Sequence, residues 1–163
     1  MIYCVDSEVS APFQLKFMAN GTFEDLAQVL VVRGFAKKLG IKLALENLSW
    51  TSTGFGKNVE QLEEVLSIID NGTVGITFDL CHALETKQVD SLLDKYGSRV
   101  CNVHMANKSH VPFTEPKPEL ISFLTRLHGY GYYGPITLEL SHKTSMQEIA
   151  KSKALFFKLL SEF

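Results

Sequence analysis

Four residues able to bind a cation or move a proton recur along the chain at nearly even intervals. They are Glu46, Asp79, His104 and Glu139, separated by 33, 25 and 35 residues. Each stands at the end of a short apolar run: LALEN, GITFDL, NVHM and TLEL. The intervals match one strand-plus-helix unit apiece, so each unit brings one such group to the same height. An ionised carboxylate alone at the end of a hydrophobic strand is costly to bury. Three carboxylates converging without a cation would repel, and at least one would keep its proton. A divalent cation removes both penalties. Three carboxylate oxygens and one imidazole nitrogen form a hard-to-borderline donor set suited to manganese, cobalt or magnesium, with zinc also admitted.

The elements that must position these groups follow from hydrophobic period. IYCVDSEV, IKLALEN, VGITFDL, VCNVHM and PITLEL read as strands, and all are continuous apolar runs rather than alternating ones. Between and after them, helical spacing runs through FEDLAQVLVVRGFAKKLG, NVEQLEEVLSIID, VDSLLDKYG, PELISFLTRLHGYG and SMQEIAKSKALFFKLLSEF. Thr22 with Asp25 and Ser145 with Glu148 read as helix-opening caps, and Gly40 as a C-cap. The alternation predicts an α/β fold with about five parallel strands and five helices, in a single domain over 1–163. In such sheets and barrels the carboxyl ends of the strands form the mouth where ligands bind. A closed (β/α)8 barrel needs eight strands and about 250 residues. Five strands in 163 residues fall short of that closure, and the pattern alone leaves an open sheet and part of a barrel as the two readings.

The segments LALEN, FDLCHA, VHMANKSH and HGYGYYGPITLEL, the last with Gly-Tyr-x-x-x-Gly before its strand, resemble those of the xylose isomerase-like barrel superfamily. That superfamily groups sugar and sugar-phosphate isomerases and epimerases with an apurinic endonuclease branch. The resemblance covers roughly residues 24 to 163 and corresponds to the carboxyl-terminal part of the barrel. It implies that Glu46, Asp79, His104 and Glu139 bind the metal, and that His82, in an Asp-x-x-His pattern, touches a substrate oxygen or the metal's ligand shell. It further implies that Glu46 and Glu139 exchange the substrate proton through an enediolate. The position six residues after His104, often arginine in such epimerases, is His110 here. The endonuclease branch carries an Asp-x-His pair in the loop after the strand of His104, whereas MANKSHVPFTEPKPE contains none. The expected activity is thus a sugar or sugar-phosphate isomerase or epimerase. An endonuclease IV-like phosphodiesterase and a non-catalytic sugar-binding or interaction module are the alternatives.

Other residues have plainer explanations. Asp79 could cap the turn that follows it, and Glu46 could pair with a lysine. Trp50, four residues past Glu46, could wall one face of a sugar or pack in the core. His128 suits a helix C-terminus. His142 reads as lying outside the mouth, and Cys81 as a small packing residue. The formal charge of −2 over 163 residues gives no broad basic surface for a nucleic acid backbone. Cys4, Cys81 and Cys101 lie in or beside strand-like runs and do not make a disulfide framework. With no secretory signal and no membrane-length apolar run, a cytoplasmic location is expected. The strands IYCVDSEV and PITLEL would leave two open sheet edges, and a homodimer is expected to cover them. Three accounts suit a chain of this length: a fragment of a longer protein, a natural short protein that dimerises, and a degenerate relative.

Overall fold

The computed structural model describes residues 2–5, 23–69 and 72–161. In chain order the elements are β1 (Ile2–Val5), α1 (Phe23–Leu39), β2 (Lys42–Glu46), α2 (Val59–Ile69), β3 (Gly75–Asp79), α3 (Leu80–Thr86), α4 (Val89–Tyr96), β4 (Val100–Met105), α5 (Pro118–Gly129), β5 (Ile136–Leu138) and α6 (Met146–Leu160). The five strands form one sheet in sequence order, β1 to β5. From β2 to β5 every pairing is parallel, which is the α/β alternation of a partial TIM barrel.

Two expectations need correction. The sheet has four parallel strands, not five, because β1 pairs antiparallel with β2, Ile2 opposite Leu45 and Val5 opposite Lys42. Apolar period reports burial but not strand direction, and at a sheet edge either direction serves. The helices also number six among the described residues, because α3 opens directly from β3. Its seven residues are too few to show a period. The Thr22 cap lies outside the described residues. Gly40 follows α1 at φ 69°, as a left-handed C-cap does, and Ser145 and Glu148 form the expected capping box on α6.

The parallel sheet has two unlike faces. Leu43, Leu45, Ile76, Phe78, Val103 and Met105 turn toward the helices and join Leu62, Leu66, Leu93, Leu120, Phe123 and Leu127 in the core. Phe78 stacks at a tilt on Phe123 with ring centroids 4.9 Å apart. Truncating such a fully buried aromatic typically costs about 3–5 kcal/mol. The alternate positions carry Ala44, Glu46, Thr77, Asp79, Asn102 and His104, and this face is buried too. Gly75 lets β3 and β4 close, since a Cβ there would collide with the Cys101 Sγ.

Candidate metal and acid-base site

Strand register explains how four distant residues meet. Asp79 lies directly opposite His104 across β3 and β4. Glu46 ends β2, and Glu139 follows β5, with its N–H donating to the Met105 carbonyl at 3.3 Å. One ligand atom from each of Glu46, Asp79, His104 and Glu139 lies within 4.8 Å of the others. His104 Nδ1 is the centre of the group: Glu46 Oε1 is 2.9 Å away, Glu139 Oε2 2.6 Å and Asp79 Oδ2 3.9 Å. Glu46, Asp79 and His104 are buried, whereas the Glu139 side chain is about one-third exposed.

Asp79 has two duties, one per oxygen. Its Oδ1 accepts the His82 N–H at 2.8 Å and so caps α3. Its Oδ2 is buried with no hydrogen-bond partner and turns to the cluster. The capping explanation therefore holds for one oxygen, and the other faces a cluster that could hold an ion. Glu46 meets His104, whereas pairing with a lysine was the plainer expectation.

Electrostatics follow from crowding. Burial lifts the Asp79 carboxyl to about 6; His82 opposes this, and neighbouring Glu46 adds to it. Burial also pushes the His104 imidazole down, but contacts with Glu139 and Glu46 outweigh it and raise His104 to about 10. Glu139 is correspondingly lowered by its bond to His104. Without a cation the site holds one imidazolium facing the carboxylates of Glu46, Asp79 and Glu139. The donor set fits a divalent ion on three grounds: four converging ligand atoms, an unpartnered buried carboxylate oxygen, and oxygen-rich chemistry with one imidazole.

His82 and His110 stand beside the cluster, their rings edge to face with centroids 5.4 Å apart. His82 Nδ1 lies 2.9 Å from the Asn47 carbonyl and His110 Nδ1 3.0 Å from the Glu139 carbonyl. A carbonyl only accepts, so each Nδ1 donates. Trp50 is 54% exposed on the turn after β2, away from the core and outside the group of four. His142 is exposed, and His128 sits in the last turn of α5, its ring edge-on to Tyr133.

Three supporting residues escaped the reading of the sequence. The Asn47 side chain accepts the Asp79 N–H at 2.8 Å and donates to the Asp79 carbonyl at 2.9 Å, which locks β2 to β3 beside the ligands. Glu85 Oε1 accepts the Ser109 N–H at 2.9 Å, and Cys81 Sγ receives the His110 N–H at 3.4 Å. Both contacts hold Ser109 and His110 at φ 61° and 53°, a left-handed conformation that non-glycine residues rarely adopt. The third, Asn102, contacts His104 Nε2 at 3.1 Å. A polar residue beside a strand-end acid was the one available signal, and it singles out Asn47 alone.

A parallel α/β sheet with acids and an imidazole gathered at its carboxyl ends has the arrangement found at the mouth of barrel folds. The family model of the xylose isomerase-like TIM barrel matches residues 23–160, and the chain belongs to that family. An uncharacterised protein of Methanocaldococcus jannaschii is 27% identical over 149 residues, covering 86% of this chain and 49% of that protein. A protein of Bifidobacterium longum named as a probable endonuclease 4 is 35% identical over 52 residues, which is 31% of this chain and 18% of its own. Among solved structures, a D-tagatose 3-epimerase-like protein superposes with a TM-score of 0.68 at 27% identity, covering 84% of this chain and 53% of that one. The chain spans about half the length of these longer relatives. No described helix is long and apolar enough to cross a membrane.

Proposed function

We propose that this protein is a divalent-metal-dependent sugar or sugar-phosphate isomerase or epimerase, with Glu46 and Glu139 as its proton-transfer pair. One observation carries the reading: two carboxylates, from the end of β2 and from just past β5, reach the same imidazole nitrogen from opposite ends of the parallel sheet. The solved epimerase-like relative supports the substrate class.

Glu46, Asp79, His104 and Glu139 would hold the cation, as manganese, cobalt, magnesium or zinc. When bound, it supplies Lewis-acid polarisation of adjacent carbonyl and hydroxyl oxygens. The chain's own residues do the rest. One glutamate takes the proton from the carbon beside the carbonyl, and the other returns it to the opposite face, which inverts that carbon. Return to the neighbouring carbon instead gives an aldose-ketose isomer. His82 and His110 direct Nε2 atoms at substrate oxygens, and Trp50 offers an apolar wall to a sugar face. We further assign the functional unit as a homodimer that covers the outer strands of the sheet.

The test is metal stoichiometry by elemental mass spectrometry on the wild type beside His104→Ala. About one divalent ion per chain, lost in the variant, is expected, followed by turnover in a screen of ketoses and their epimers. No retained ion after incubation with each metal would overturn the assignment. The Bifidobacterium likeness favours a second reading, metal-dependent phosphodiester cleavage. Nicking of a duplex containing an abasic site, without sugar turnover, would establish it.

A further inference from the structure

The two ring nitrogens of His104 have unlike surroundings. Nδ1 faces the carboxylates of Glu46, Glu139 and Asp79. Nε2 instead meets the amide of Asn102, two residues earlier on the same face of β4, at 3.1 Å. Asn102 and His104 are each 1% exposed, so water cannot substitute for a missing partner. In this arrangement the amide nitrogen of Asn102 lies against Nε2, and its oxygen, Oδ1, is buried with no hydrogen-bond partner. An unpaired buried acceptor is costly.

A histidine nitrogen that binds a cation must offer a lone pair. If Nδ1 is the ligand, the proton of the neutral ring has to sit on Nε2. An Nε2–H then needs an acceptor, and the amide nitrogen of Asn102 is a donor only. A half-turn of the amide about its last side-chain bond exchanges oxygen and nitrogen without changing its shape. That turn brings Oδ1 to Nε2, and it gives a partner to the oxygen that lacks one.

We propose that Asn102 is the positioning residue that sets the tautomer of His104. Its amide oxygen accepts the Nε2–H, fixes the ring plane and leaves the Nδ1 lone pair to the cation. This is how an outer-shell partner governs a ligating histidine. The inference rests on the metal-site reading above, and its test is built to fail separately from that reading.

The measurement is long-range proton–nitrogen correlation of the His104 ring in 15N-labelled protein, metal-free and loaded with zinc as a diamagnetic probe. A proton on Nε2 is expected in both states, with Nδ1 unprotonated in the zinc form. A zinc form in which Nδ1 keeps the proton would overturn the proposal. Titration with zinc and with manganese then compares two variants. Asn102→Leu removes the acceptor and should weaken binding roughly 10–100-fold, whereas Asn102→Asp keeps an acceptor and should bind like wild type. An Asp variant as weak as the Leu variant would count against the assignment. If Asn102→Leu does not fold, the wild-type spectra still decide. If wild type binds neither ion, the metal reading falls, and the Asn102 contact is read from the metal-free ring alone: an Nε2–H resonance that Asn102→Leu leaves unmoved would overturn it.

Discussion

Burial and crowding set the charges of the four-residue cluster before any cation binds. His104 is raised to about 10 from an ordinary value of 6.5. A histidine raised on folding lends stability that is complete below the unfolded value and is lost as pH climbs through the folded one. The metal-free chain should therefore show a falling urea midpoint between pH 7 and 10, and His104→Gln should flatten that slope. Asp79, raised to about 6, makes its own contribution at lower pH and loses it between about 4 and 6. A second outcome concerns Cys81, whose buried thiol is pushed up to about 12. At pH 7.5 it should resist iodoacetamide in the native chain and react fully in urea, read by peptide mass mapping. The four clustered residues were legible in the sequence because each is an unexpected polar group closing an apolar run. Asn102 was not, since a polar residue inside a strand carries no sign of which partner it meets.

The elements show where sequence period suffices and where it does not. The strands β2, β3 and β4 were legible because continuous burial leaves no other reading. The direction of β1 and the existence of α3 depend on pairing and on one aspartate cap, and neither leaves a period. Helix α6 tests the capping logic directly. Ser145→Ala breaks a reciprocal pair, Ser145 Oγ with the Glu148 N–H at 3.3 Å and Glu148 Oε2 with the Ser145 N–H at 2.8 Å. The expected cost is about 1 kcal/mol, seen as a lower urea midpoint. A different result is expected of Glu85→Ala, which removes the acceptor for the Ser109 N–H. The Ser109 and His110 amides should exchange with deuterium faster, while those of β3 and β4 keep their protection. Equal exchange in both proteins would show that the left-handed turn holds itself.

At the scale of the molecule, both ends of the sheet carry uncovered apolar surface. On α1, Val31, Phe35 and Leu39 lie four residues apart in one exposed stripe. At the other end an apolar cavity of about 590 Å³ runs between α5, β5 and α6. Phe157 lines it at 66% exposure, close to Tyr133 and Leu160. The proposed homodimer would bury these surfaces together with the outer strands. Sedimentation velocity is expected to show a dimer that Phe157→Glu converts to monomer with an unchanged circular dichroism spectrum; a wild-type monomer would sink that assignment. That β1 and β5 are the outer strands among the described residues was legible from the strand order, whereas the apolar stripe on α1 was not, because helical spacing marks an apolar face without saying whether it is covered.

The chain holds a single tryptophan, and it is Trp50, half exposed on the turn that leaves β2 just past Glu46. Its emission therefore arises from one place, the turn after β2, and needs no dye. A sugar stacked on the indole would replace water there and move the emission maximum to shorter wavelength. On the proposed role of Trp50, the chain would carry its own optical gauge of occupancy, against which candidate ligands can be titrated before any turnover is sought.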